Sequence, residues 1–193
     1  DYVGTGMIGE NTVPIRSCAL DFAIDGTPFL ATQLNNYGAV SGFIEFQKFN
    51  GTSWELSGNT LPVKFEEFDV KSTFFAIGSD NIPQILYSDG NNSFKASVRK
   101  LVGSTWEFTG DIGYSNNIAT YASLSSDIDS EGIIYSTYID ADDTVNVKRY
   151  IGNAWQDMSS PSVGINSQSK IAIADDNTPY ILIWHYTDSG RSN

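Results

Sequence analysis

The chain has one cysteine, Cys18, and one histidine, His185, and its 11 Lys and Arg residues are outnumbered by 23 Asp and Glu. A lone cysteine excludes an intrachain disulfide, and because Cys18 lies in an apolar run it is expected to be a small buried thiol. A lone histidine excludes a multi-histidine metal centre. A Ser-His-Asp triad would lack the Gly-x-Ser-x-Gly turn that presents its nucleophile, so nucleophilic catalysis is not expected. The formal net charge of −12 sets the field of the whole molecule against phosphate, which argues against nucleic acid as a partner. No window approaches the roughly 18 consecutive apolar residues of a membrane span, so membrane insertion is not expected. Nor does any stretch sustain an apolar period of 3.6 residues, and helix should be nearly absent.

What the sequence does have is aromatic side chains, at 13% of residues, and a repeat. "FNGTSWELSGN" (Phe49 to Asn59), "LVGSTWEFTGD" (Leu101 to Asp111) and "YIGNAWQDMSS" (Tyr150 to Ser160) share one shape, in which a glycine precedes a tryptophan by three residues. Trp54, Trp106 and Trp155 recur at spacings of 52 and 49 residues, within the range of propeller and solenoid repeats. Upstream, "AIDGTPFLATQ", "GSDNIPQILYS", "DIDSEGIIYST" and "ADDNTPYILIW" each place an acidic or Gly/Asn turn between two alternating apolar runs. Pro28, Pro83 and Pro179 take one place in this alignment, with Ile133 in the third copy. Proline is tolerated at the first residue of a strand, where its missing N–H need not enter the ladder.

Each copy reads as four short strands; in the first these are "CALDFAI", "PFLATQL", "GFIEFQKF" and "SWELSG". Four antiparallel strands in about fifty residues make one propeller blade. The fold class is therefore all-β, a β-propeller of four-stranded antiparallel blades, with three whole blades and parts of a fourth. The boundaries are an outer strand at 1–9, blades at about 17–58, 72–110 and 121–159, and a half blade at 168–193. Gly51, Gly103 and Gly152 fit hairpin turns that need positive φ. The tryptophans that follow open the outer strand, where a large ring can cover the gap between blades. Counting strands leaves unpaired edges at both ends, so the segment is expected to belong to a longer chain or, taken alone, to close on itself as a four-bladed ring or associate through its terminal blade edges.

These motifs resemble the bacterial secreted propeller repeats of the D-x-x-G-x-P-Y-hydrophobic and basic-aromatic-x-G-x-x-W type, relatives of the kelch and sialidase-like propellers. The resemblance spans almost the whole chain and is structural. It implies the propeller fold and a secreted or cell-surface location, and it carries no catalytic residue with it. "KFNGTSW", "KLVGSTW" and "RYIGNAW" keep the end of the sialidase Asp-box and lack its aspartate.

Acidic residues gather in the turns. "DIDSEG" (Asp127 to Gly132) has a spacing that could collect oxygens around calcium, but its counterparts "AIDG" and "ADDN" mark the place as an acidic hairpin turn. Neither a cofactor nor a metal is expected. The more informative positions are those that fail to recur. Where the first copy has "TQLN" and the second "YSDG", the fourth has "IWHY", giving Trp184, His185 and Tyr186, with Asp188 just beyond. Aromatic rings beside a carboxylate suit the apolar face and hydroxyl edge of a sugar, so these four residues are the candidate ligand contacts. Alternation along a strand sends Trp184 and Tyr186 to one face and His185 to the other. The reading is an exported binding or display module that takes a carbohydrate or glycoconjugate. A glycoside-processing enzyme with acids on the blade loops, and an inert spacer of a large surface protein, are the alternatives.

Overall fold

The structure, a computed structural model, describes residues 15–34, 41–64, 73–119, 124–140, 142, 144–159 and 167–185. It is built from antiparallel sheets, and the only helical element among the described residues is one 3-10 turn at Gly90–Asn92. The first sheet contains β1 (Ile15–Phe22), β2 (Pro28–Leu34), β3 (Ser41–Phe49) and β4 (Trp54–Leu56), joined in that order. Here the outer strand is interrupted. It stops at Leu56, passes Gly58 at φ +87°, and resumes pairing with β3 as β5 (Leu61–Lys64), with Ile44 opposite Leu61.

The second blade is β6 (Thr73–Ile77), β7 (Pro83–Asp89), β8 (Lys95–Val102) and β9 (Thr105–Phe108). The third is β10 (Ser125–Ile128), β11 (Ile134–Ile139), β12 (Val145–Ile151) and β13 (Ala154–Asp157). The fourth sheet holds β14 (Ser167–Ile173) and β15 (Pro179–His185). The first strands of the blades lie side by side, β1 against β6, β6 against β10 and β10 against β14. This row of inner strands with sheets radiating from it is propeller architecture.

The hairpin between the first two strands is the same object four times. Backbone N–H groups of Gly26, Asn81, Gly132 and Asn177 donate to the carbonyls of Ala23, Gly78, Asp129 and Ala174 at 2.8 to 3.0 Å. All four donors have φ between +60° and +81°, a conformation that glycine adopts freely and asparagine tolerates. In three copies an aspartate fixes the turn by accepting the N–H two residues on, from Thr27 to Asp25, Ile82 to Asp80 and Thr178 to Asp176. The third copy has Glu131 at that place, and Asp129 instead accepts from Glu131 and Ile133 at 2.9 and 2.8 Å.

This register corrects one detail of the alignment. Phe22 faces Pro28, Ile77 faces Pro83, Ile173 faces Pro179, and Ile128 faces Ile134. The residue at the proline place in the third copy is Ile134 and not Ile133, because the turn keeps its length and the pairing fixes the count.

The core lies between blades. The first cluster joins Phe29, Ala31, Ile44 and Phe46 of the first blade to Phe75, Ile85, Tyr87, Leu101 and Trp106 of the second. The second joins Leu86, Ala96 and Val98 to Leu124, Ile134 and Tyr138. The third joins Tyr135, Ile139, Val145 and Val147 to Ile171, Ile181 and Ile183. Each blade therefore has a forward face toward the next blade and a rear face toward the previous one, and the period-two alternation of its strands supplies both.

Candidate functional site

The ends of the second strands, on the edge opposite the Asp/Gly turns, are where the copies diverge. In the second blade Asp89 is buried there. Its carboxylate accepts from the Asn91 N–H at 3.0 Å, Asn92 Nδ2 at 2.6 Å and Ser97 Oγ at 3.3 Å, and the Tyr87 hydroxyl donates to it at 3.4 Å. Arg99 extends this chain, donating from Nε to the Tyr87 hydroxyl at 2.9 Å and from Nη1 to the Trp106 carbonyl at 3.1 Å, while its guanidinium lies 3.7 Å from the centre of the Phe108 ring. Burial, reinforced by the Asp89 charge, pushes the Tyr87 phenol far above its ordinary value. In the third blade Asp140 accepts from the N–H groups of Asp142 and Thr144 and from Asn146 Nδ2 at 2.9 to 3.1 Å. Both carboxylates are occupied in holding loops.

By strand register His185 is the fourth-blade counterpart of Asp89 and Asp140, so the loop-fixing carboxylate is absent there. Trp184 precedes it as the second-last residue of β15, opposite Gln168 of β14, and is half-buried. Of its counterparts, Gln33 and Ile139 are buried and Ser88 is half-buried. Trp184 shares a strand face with Tyr180 and Leu182, both well exposed, whereas Ile181 and Ile183 of the other face pack into the third core cluster. Tyr186, Asp188 and the side chain of His185 lie outside the described residues.

A recess occurs at the opposite edge of the first blade. It is an open cleft of about 600 Å³ between the β1–β2 and β3–β4 turns, lined by Asp25, Thr27, Lys48, Phe49, Asn50 and Glu55 among others. Lys48 sits 5.6 Å from the centre of the Phe29 ring, and Asn50 Nδ2 donates to Glu55 and to Ser53 Oγ. Hydrogen bonds from Thr27 hold the Asp25 carboxyl below the usual range, with Lys48 adding a smaller push in the same direction. Only the basic residue before each repeated hairpin glycine hinted at this cleft, and that pattern occurs in all three copies.

The acidic turn at Asp127 to Gly132 is spent internally. Asp127 Oδ2 accepts the Ile173 N–H from the next blade at 2.8 Å, and Asp129 holds its own turn. Among the described residues no group of three or more His, Cys, Asp or Glu side chains is placed to hold a metal ion. Cys18 is corrected from the expected buried thiol: it is exposed, because it lies on the rear face of β1, which no other blade covers among the described residues.

No family model matches the chain, and no curated protein matches it. Solved structures do. A fucose lectin from Kordia zhangzhouensis, in complex with methyl-fucoside, matches at 11% identity and a TM-score of 0.50 over 76% of this chain and 100% of the lectin chain. An α-L-arabinanase from Penicillium chrysogenum, complexed with arabinobiose, matches at 11% identity and a TM-score of 0.52 over 86% of this chain and 58% of the enzyme. An arginine-to-alanine triple mutant of AofleA from Arthrobotrys oligospora matches at 12% identity and a TM-score of 0.51, over 90% and 65% respectively. At these identities the likeness establishes the fold. The chain is a β-propeller.

Proposed function

We propose that the chain is a carbohydrate-binding propeller module of an exported protein, with the sugar stacked on Trp184 and completed by Tyr186, Asp188 and His185. The observation that carries this reading is the partly exposed indole of Trp184, at a place where the first and third blades bury Gln33 and Ile139. An indole face takes the C–H face of a pyranose, and a carboxylate at its edge accepts sugar hydroxyls. Support also comes from the shared fold, since two propellers of this shape were solved with methyl-fucoside and arabinobiose bound.

The test is a glycan array followed by titration of the strongest glycan against the wild type, Trp184→Ala and Lys48→Ala. The proposal expects loss of binding in Trp184→Ala and retention in Lys48→Ala. The reverse pattern would move the site to the cleft of the first blade, and no bound glycan on the array would refute the reading.

A further inference from the structure

The four blades form an arc with two open faces. On the rear face of β1, Leu20 is 55% and Phe22 56% exposed, while Phe75 and Ile171, the counterparts of Leu20 in the second and fourth blades, are 4% and 6% exposed. Cys18 is exposed on the same face, and its counterparts Leu124 and Ser169 are buried. On the forward face of the fourth blade, Tyr180 is 63% and Leu182 64% exposed, against 6% and 0% for their counterparts Tyr135 and Thr137 in the third. The positions that elsewhere hold blade to blade are thus open at both ends of the same folded chain. Among the described residues, these two faces do not cover each other.

We propose that a second copy of this chain packs head to tail on these faces, its β1 rear face against the β14–β15 forward face, continuing the interface already present between blades. The polar pattern of the seams supports this pairing. Between the first and second blades, Asp21 Oδ2 accepts the Ile77 N–H and Asn81 Oδ1 accepts the Ile24 N–H, each at 2.8 Å. Between the third and fourth, Asp127 accepts from Ile173 at 2.8 Å and Asn177 accepts from Ser130 at 3.1 Å. Between the second and third, the corresponding residues are Ala76 and Gly132, and neither bond exists. Across the open seam the corresponding residues are Ala172 and Gly26.

The seams therefore alternate between an Asp/Asn type and an Ala/Gly type, and joining the fourth blade to a first blade continues the alternation. An Ala/Gly seam brings no carboxylate or amide that would be stranded without a partner when buried. Lys170 is exposed on the same forward face, and its long stem can lie along apolar surface with the ammonium at water. The interface is heterologous, so it closes only if the rotation per blade allows. Two copies joined at both seams have eight inner strands, within the roughly four to eight blades of propellers.

The test uses the full chain and two variants, Phe22→Asp and Leu182→Asp, each at a side chain already more than half exposed and checked for an unchanged melting curve. Sedimentation velocity should show wild-type assembly that increases with concentration. Each variant alone should be monomeric, and an equal mixture should recover a dimer, because each retains the face that the other lacks. Maleimide labelling of Cys18 should slow in step with wild-type assembly. A wild type that stays monomeric at every concentration overturns the proposal, whether Cys18 is reactive, with the faces open to some other chain, or protected, with the arc closing on itself. Variants that assemble as the wild type does also overturn it. None of these outcomes depends on sugar binding.

Discussion

Asp21 of the first blade accepts the backbone N–H of Ile77 in the second at 2.8 Å, and Asp127 and Ile173 repeat the bond between the third and fourth. A carboxylate on one inner strand thereby satisfies a backbone donor on the next strand, which no ladder partner reaches across the blade gap. Asp21→Ala and Asp127→Ala should each destabilise the fold by about 1–3 kcal/mol, the cost of leaving a partly buried donor unpaired. The two seams share no partner, so the double variant should show the sum. Urea unfolding checks both statements.

The hairpin tryptophans are equivalent in register, but differ in what they cover. Trp106 packs edge-on to Phe46 of the preceding blade at 5.6 Å, and its Nε1 donates to the Asn59 carbonyl at 2.9 Å. Trp155 stacks on Tyr114 at 3.8 Å. Trp54, in the first blade, has a ring contact with its own strand neighbour Phe49 at 5.4 Å and is only half-buried. Trp106→Ala should therefore lower stability by about 3–5 kcal/mol, and Trp54→Ala by clearly less. Thermal melts of the two variants side by side decide it, and equal losses would contradict the account.

Alkaline pH should unfold the protein through its buried phenols. Burial raises the Tyr138 phenol to about 12 and pushes Tyr87 and Tyr114 higher still. The folded-state values stand above the unfolded value near 10, so the unfolded chain releases these protons first. The stability they reflect is fully present below about pH 10 and is lost as the pH rises through about 12. Absorbance at 295 nm should show these tyrosines ionising together with the loss of the circular dichroism signal. Their ionisation well before unfolding would contradict the assignment.

The repeat was legible because it is local: alternation, turn residues and a fixed glycine-to-tryptophan spacing are visible in one dimension. The blade sheets and the positive φ of Gly51, Gly103 and Gly152 follow from it. The one-residue slip at Ile134 went unseen because two adjacent isoleucines satisfy the pattern equally, and only pairing with Ile128 separates them. Cys18 was misjudged for a different reason. An apolar run marks a face able to be buried, while burial depends on whether another blade stands beside it. The same gap hid the seam aspartates: Asp127 read as a turn acid and Asp21 as one more residue of its strand, and their roles emerge only when partners some fifty residues away are placed.

Binding and hydrolysis of one glycan, measured in one sample, bear most directly on the central claim. Isothermal calorimetry with the strongest glycan from the array, followed by a reducing-sugar assay of the same mixture, should give saturable heat, no released sugar, and loss of the heat in Trp184→Ala. Release of reducing sugar, abolished by a single Asp→Asn change, would contradict the binding-module account and make the protein a glycoside-processing enzyme.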